Sequence, residues 1–156
     1  MEQKEWSGMN TKIINNLDKL QRMVLDPPSG KEAWTIKLIE EKEYKGFTYI
    51  ITYSYNHPCA YVFVNDLLTI IETDKLKYQP HGGFTYHDVL LPVVTYKGGF
   101  IGWDYAHFGD YQKLSKYVIE GRLWSLKEIR EECKAVIDSL IEYMDEINRR
   151  NNGTKK

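Results

Sequence analysis

The chain has only two cysteines, Cys59 and Cys133, among its 156 residues. Two are too few for a disulfide framework, and they do not form the C-x-x-C spacing of a zinc or redox pair. No apolar run is long enough to cross a bilayer, and the N-terminal residues lack the basic-then-apolar pattern of a secretory signal. These absences predict a reduced, cytoplasmic setting with no membrane partner.

An excess of charge of one sign is also missing, since the formal net charge is −1. Proteins that bind long nucleic acids use clustered Lys and Arg, so we expect no extended nucleic-acid surface. The basic end of the chain, Arg149-Arg150 with Lys155-Lys156, is too short a cluster to change that expectation.

Aromatic residues, by contrast, are abundant at 13%, with twelve tyrosines and four tryptophans. Tyrosine joins an apolar ring to a polar hydroxyl, so it suits half-buried sheets as well as ligand-binding surfaces. Tyrosines packed on a sheet are the more common arrangement. The length is that of one domain able to bury its own core.

The hydrophobic periodicity changes along the chain from helical to strand-like and back. Ile13, Leu17, Leu20 and Val24 form one helical stripe, which predicts a helix from about Thr11 to Leu25 that Pro27 ends. Alternating and β-rich segments then predict five strands. They are Trp34–Ile39, Phe47–Tyr55, Ala60–Val64, Phe84–Val94 and Phe100–Tyr105, with turns at Lys45-Gly46, Asn56-His57-Pro58 and Lys97-Gly98-Gly99. Asp66 to Gln79 fits either a short helix or a loop.

The last element is the most clearly marked helix. Ser125 and Glu128 form a capping box, and Trp124 and Ile129 stand at hydrophobic-staple positions. One apolar stripe follows: Ile129, Cys133, Val136, Ile137, Leu140, Met144 and Ile147. Cys133 is therefore interpreted as a core residue.

Together these elements predict an α+β fold: an antiparallel sheet of about five strands, a long C-terminal helix packed on one face, and an additional N-terminal helix. The predicted organisation is a helix and linker over residues 1–30, a single α+β domain over 31–150, and a disordered tail over 151–156.

The first candidate site segment is the turn His81-Gly82-Gly83, which precedes Thr85 and Tyr86. Adjacent glycines permit positive φ angles or a close approach of a ligand to the backbone. Successive N–H groups in such a turn can form an anion-binding concavity. An ordinary Gly-Gly turn remains the alternative.

The second segment runs from Trp103 to Asp110 and contains a D-x-x-H-x-x-D pattern, Asp104, His107 and Asp110. These groups could hold a divalent metal ion through oxygen and imidazole ligands. They could equally supply a general acid or base with an orienting carboxylate, or form a polar loop. The two segments lie about twenty residues apart, each at a strand boundary, and this co-occurrence indicates a shared site.

The two segments resemble a family of small, mostly uncharacterised phage and prophage proteins. The family signature runs H-G-G-x-T-[F/Y], then G-[F/W]-D-x-x-H-x-G-D, and the resemblance covers about Trp34 to Leu140. It makes signature positions of His81, Gly82, Gly83, Thr85, Asp104, His107, Gly109 and Asp110. It does not include His87. The segment Cys59-Ala60-Tyr61-Val62 resembles a C-G-Y-V strand of the family, with Ala60 in place of the glycine.

The resemblance implies an accessory phage protein acting in the bacterial cytoplasm, and an action against host defence is the expected kind of role. The first hypothesis is a site that binds, or hydrolyses, a small phosphorylated or nucleotide-like ligand. His81, His107 and Asp104 would be catalytic, or Asp104, His107 and Asp110 would bind a divalent metal ion. The predicted ligand-binding residues are Gly82, Gly83, Thr85, Tyr86, Trp103 and Gly109. The alternative is a non-catalytic, anti-CRISPR-like inhibitor that binds a host defence protein.

Overall fold

A computed structural model of the chain describes residues 16–114 and 117–154. The helix α1 spans Lys19–Leu25 and begins at Asp18, whose backbone is extended with a ψ of 174°. Asp18 Oδ1 accepts a hydrogen bond from the Gln21 amide at 2.8 Å, and the Asp18 amide donates one to Gln21 Oε1 at 3.1 Å. The predicted single helix from Thr11 is therefore wrong, because this capping box starts a new helix at Lys19; residues 11–15 lie outside the described ranges.

The main sheet has the order β1-β2-β3-β5-β4, and all its neighbouring strands are antiparallel. Its strands are β1 (Lys37–Tyr44), β2 (Phe47–Ser54), β3 (His57–Asn65), β4 (Tyr86–Asp88) and β5 (Gly99–Asp104). The first two are joined at Lys45 and Gly46, with φ angles of 48° and 87°. The predicted turn at this pair is confirmed, and its two positive φ angles are the mark of a type I′ hairpin turn. The turn before β3 is at Tyr55-Asn56, earlier than predicted, and His57 already belongs to the strand.

Two short elements differ from the prediction. The strand predicted over Phe84–Val94 is reduced to β4, and the chain beyond it folds as a loop on the sheet. A separate two-stranded hairpin, β6 (Gln112–Leu114) with β7 (Tyr117–Ile119), was not predicted. The ambiguous stretch after β3 contains two short 3-10 helices, Asp66–Thr69 and Thr73–Lys75.

The C-terminal helix α2 spans Leu126–Thr154. Its predicted capping box is confirmed, because the Ser125 amide donates to Glu128 Oε1 at 2.9 Å and the Glu128 amide donates to Ser125 Oγ at 3.0 Å. Asp18 Oδ2 also accepts from the Leu126 amide at 2.5 Å, so one carboxylate caps both helices. The helix continues through Thr154, past the point where the sequence predicts a disordered tail.

The sheet is covered on both faces. Its inner face packs on both helices through one core cluster, which includes Tyr49, Ile51, Val62, Ile101, Trp103, Leu20, Ile129, Cys133, Val136, Ile137 and Leu140. Its outer face carries Ile50 and Phe100, which the loop after β4 covers with Leu91. The α+β architecture is thus confirmed, with a five-stranded antiparallel sheet among the described residues and the long helix on one face. No helix of the described residues is long and apolar enough to span a membrane.

Candidate functional site

The His81 segment is a tight turn that leads into β4. The Gly83 amide donates to the Pro80 carbonyl at 2.8 Å, and Gly82 has a φ of 71°. An i to i+3 hydrogen bond with a positive φ at the third residue is the arrangement of a type II turn, which favours glycine there. Gly82 is therefore required by the turn itself, and the turn presents the His81 side chain at its second position.

The second segment closes in the same way at the end of β5. The Asp110 amide donates to the His107 carbonyl at 3.0 Å, and Gly109 has a φ of 95°. Here Phe108 occupies the second position and is 95% exposed. Each of the two sequence motifs thus encodes a glycine-dependent turn.

Asp110 joins the two turns. The residue is 1% exposed, and Oδ2 accepts hydrogen bonds from His81 Nε2 at 2.7 Å and from the His107 amide at 2.9 Å. The other oxygen, Oδ1, accepts from the Trp124 indole N–H at 2.9 Å. A buried carboxylate needs such donors to offset its lost hydration, and here three groups supply them.

The imidazole of His81 lies among aromatic rings. It stacks on Tyr105 with centroids 5.5 Å apart and planes 12° apart, and it contacts Trp124 at 4.8 Å. The His107 ring lies edge-on at 5.4 Å. The side chain of His81 is 25% exposed, and its Nδ1 makes no hydrogen bond to the described residues. One nitrogen is thus fixed by Asp110, and the other is left to face a ligand or solvent.

His107 occupies the space beside Gly82. A Cβ added at Gly82 would stand 2.7 Å from His107 Cε1, and closer still to Nε2 and Cδ2. His107 Nε2 lies 3.2 Å from Asp104 Oδ1, but the orientation makes no hydrogen bond and Nε2 is buried without a partner. Asp104 itself accepts from Thr85 Oγ1 at 3.2 Å and from the Ala106 amide at 3.1 Å. The predicted acid–base residues His81, His107 and Asp104 are therefore brought into one cluster.

Glu132 of α2 supports the same turn from the core side, and sequence analysis missed it. Its carboxylate accepts from Tyr105 OH at 2.6 Å, from Tyr78 OH at 2.5 Å and from the His81 amide at 3.2 Å. Burial, and then the nearby charge of Glu132, raise the pKa of Tyr105 far above its usual range. The sequence feature that could have indicated Glu132 is its position beside Cys133, at the edge of the apolar stripe of α2.

Two more residues of the site come from the segment before α2. Trp124 bridges His81 and Asp110, and the Arg122 guanidinium lies 3.6 Å from the centre of the Trp124 ring. Arg122 also donates to Glu128 Oε2 at 2.7 Å. The sequence indicates only a hydrophobic-staple role for Trp124, and the structure adds that its indole N–H donates to the buried carboxylate of Asp110.

Two of the predicted ligand-binding residues are not at the site. Trp103 is 1% exposed in the core and donates its indole N–H to Tyr105 OH at 2.9 Å. Tyr86 lies on the outer face of the sheet, where its ring meets Tyr61 edge-on at 5.1 Å and its hydroxyl donates to the Leu90 carbonyl. Phe84, two residues before Tyr86, packs instead on Trp103 in the core, and regular strand begins only at Tyr86.

The predicted metal site is not assembled. Among the described residues, no group of three His, Cys, Asp or Glu side chains is positioned to hold a metal ion. The reason lies in Asp110, whose two oxygens already accept hydrogen bonds from Trp124, His81 and His107. Asp104, His107 and Asp110 are therefore neighbours without forming a ligand set.

No protein-family model, curated protein or solved structure matches the chain. We call this cluster the His81 site. It consists of His81, His107, Asp104 and Asp110, with Gly82, Thr85, Trp124 and Arg122 around them. Its chemistry is that of an imidazole whose Nε2 is fixed by a buried carboxylate. Such a pairing fixes the orientation of the ring and leaves Nδ1 as the nitrogen that can donate or accept a proton.

Proposed function

We propose that the chain is a phage- or prophage-type accessory protein whose His81 site binds a small phosphorylated, nucleotide-like ligand in the bacterial cytoplasm. The observation that carries this proposal is that the two ring nitrogens of His81 differ in their hydrogen-bond partners. Asp110 fixes its Nε2 at 2.7 Å, while Nδ1 has no partner among the described residues and the ring is a quarter exposed.

The groups around His81 suit an oxyanion of phosphate. A second imidazole lies 5.4 Å away, and both rings can donate hydrogen bonds when protonated. Arg122 adds a permanent positive charge beside Trp124. The exposed ring of Phe108 next to His107 offers a surface on which a base can stack.

The same pair of imidazoles supplies the groups that phosphodiester hydrolysis requires. One takes a proton from the attacking water while the other gives a proton to the leaving oxygen. His81 would be the base, because the contact of its Nε2 with Asp110 holds the ring in place and leaves Nδ1 to take the proton, and His107 would be the acid. Binding is the first property to measure, and hydrolysis is the second.

The experiment is a calorimetric titration with nucleoside monophosphates, cyclic mononucleotides and cyclic dinucleotides, followed by chromatography of each mixture. His81→Ala and His107→Ala should weaken binding of the active compound at least about tenfold, the loss of one or two charge-assisted hydrogen bonds. The matched control is His87→Ala, because His87 is exposed on β4 and outside the cluster. If no compound binds and both histidine variants melt far below the wild-type protein, the cluster is structural and the proposal fails.

A second candidate function, binding to a host defence protein, is favoured by one observation. The strand β7 exposes three successive apolar side chains, Tyr117, Val118 and Ile119, at 67%, 48% and 46%. Exposed apolar patches of this kind commonly mark protein-binding surfaces. Affinity purification with wild-type chain, Val118→Asp and His81→Ala distinguishes the candidates: a host partner that is lost only with Val118→Asp supports inhibition by binding.

A further inference from the structure

A groove of about 440 Å³ lies beside the long helix α2. One wall is the C-terminal half of α2, and the other is the segment around residues 70–77, which carries the second 3-10 helix. The volume is in the range of small-molecule sites. The groove does not include any residue of the His81 site.

The groove has an unequal set of charges. Its cations are Lys75, Lys77, Arg149 and Arg150, and its carboxylates are Glu72, Glu142 and Glu146. Four positive charges against three negative ones leave a net charge of +1. Lys75 pairs with Glu72 at 3.1 Å, and Lys77 pairs with Glu142.

The excess charge is at Arg150. Arg149 and Arg150 both contact the carboxylate of Glu146, and the Arg150 contact is the longer one, with Nε 3.5 Å from Oε1. Arg149 also lies near the carboxylates of Asp145 and Glu142. The Arg150 side chain is 74% exposed, and ion pairs this exposed hold their partners weakly. A carboxylate or phosphate of a ligand can therefore bind Arg150 without leaving a buried charge behind.

Three residues on the two walls of the groove are apolar or aromatic. Ile70 is 48% exposed, and Tyr143 and Ile147 line the same space. Tyr143 is held in place, because its hydroxyl donates to the Ile70 carbonyl and accepts from the Glu72 amide, both at 3.2 Å. These groups beside one excess guanidinium select for a ligand with one charge and an apolar body.

We propose that this groove is a second binding site, which takes a small organic monoanion bearing an apolar or aromatic group. It is distinct from the His81 site. Glu132, which contacts the His81 turn, is 17 residues before Arg149 on the same helix, a separation of about 25 Å along the helix axis.

The test uses N-acetylphenylalanine, which carries one carboxylate and one aromatic ring, and its neutral amide as the matched probe. In a titration followed by two-dimensional amide NMR, the anion should cause saturable shifts in residues 70–77 and 139–150, with millimolar affinity. Arg150→Gln should weaken binding about fivefold or more, the effect of losing one exposed charge-assisted contact. Lys45→Gln removes the same charge at an exposed position on the β1–β2 turn and should leave binding unchanged.

Three results would overturn the proposal. They are shifts that do not saturate, equal binding of the anion and its amide, or equal weakening by Arg150→Gln and Lys45→Gln. His81→Ala should bind the anion as tightly as the wild-type chain, so failure of the nucleotide experiments leaves this proposal standing. Loss of binding in His81→Ala would show that the groove is not an independent site.

Discussion

Alanine at Gly82 and alanine at Gly83 form a matched pair that tests how the His81 turn is built. Both glycines have positive φ angles, 71° and 80°, so alanine is strained at either position. Only Gly82 is also in contact with a neighbour, because a Cβ there overlaps the His107 ring, whereas a Cβ at Gly83 meets nothing within 4 Å. The difference between the two variants therefore isolates the packing of His107 on Gly82.

The expected magnitudes follow from those two terms. A left-handed backbone conformation costs alanine about 1–2 kcal/mol, which is the whole effect at Gly83. Overpacking against a half-buried ring adds about 1–3 kcal/mol at Gly82. For a chain of this size the added term lowers the melting temperature by roughly 2–12 °C beyond the Gly83→Ala value.

Urea and thermal unfolding of the two variants measure the difference, and the NMR signals of the His107 ring report where the ring has gone. Gly82→Ala should shift those signals strongly, and Gly83→Ala should change them little. Equal destabilisation by both variants, with an undisturbed His107 ring, would refute the contact between Gly82 and His107.

Three further predictions concern buried polar groups. Asp110→Asn should destabilise the chain by about 1–3 kcal/mol in urea unfolding, because an amide cannot accept from all three donors; an unchanged midpoint would contradict this. Hydrogen bonds from Arg130 lower the pKa of Glu40 below its ordinary 4.5. The free energy of unfolding of the wild-type chain should therefore exceed that of Glu40→Gln by the largest amount above about pH 5, and the difference should vanish on acidification. A constant difference down to about pH 3 would count against that pairing. Burial raises the pKa of Cys59 to about 12 and that of Cys133 well above normal, so neither thiol should react with a disulfide reagent before unfolding; rapid release of one equivalent would be the contrary result.

The elements that could be predicted from sequence are those whose signals are local. The capping box at Ser125 and the apolar stripe of α2 determine the helix, and the Lys45-Gly46 pair determines the first hairpin. The start of α1 was missed because its apolar stripe continues through Leu17, while the cap at Asp18 depends on a backbone angle. The β6–β7 hairpin was missed because its strands are three residues long and leave little periodicity to detect.

The residues of the site could be predicted from the sequence, but the hydrogen bonds that join them could not. Sequence spacing brought His81 together with Asp104, His107 and Asp110, since β4 and β5 pair and their ends meet. It could not show that Asp110 is buried beneath the two turns or that Trp124 donates to it, because those contacts join distant segments. Among the described residues no set of metal ligands is assembled, and Trp103 in the core and Tyr86 on the outer face of the sheet lie away from the cluster.

These contacts also change what the glycines imply. The two motifs share one plan, in which a turn with glycine at its third position directs a residue outward while a buried aspartate ties both turns together. Gly82 and Gly109 are then explained by backbone conformation and by the space for His107, with no ligand required. What the turns do not explain is an imidazole that is fixed on Nε2 and has no partner on Nδ1 among the described residues. Because the ring is a quarter exposed, Nδ1 can hydrogen-bond to water or to a ligand, so it is the atom on which a functional assignment depends.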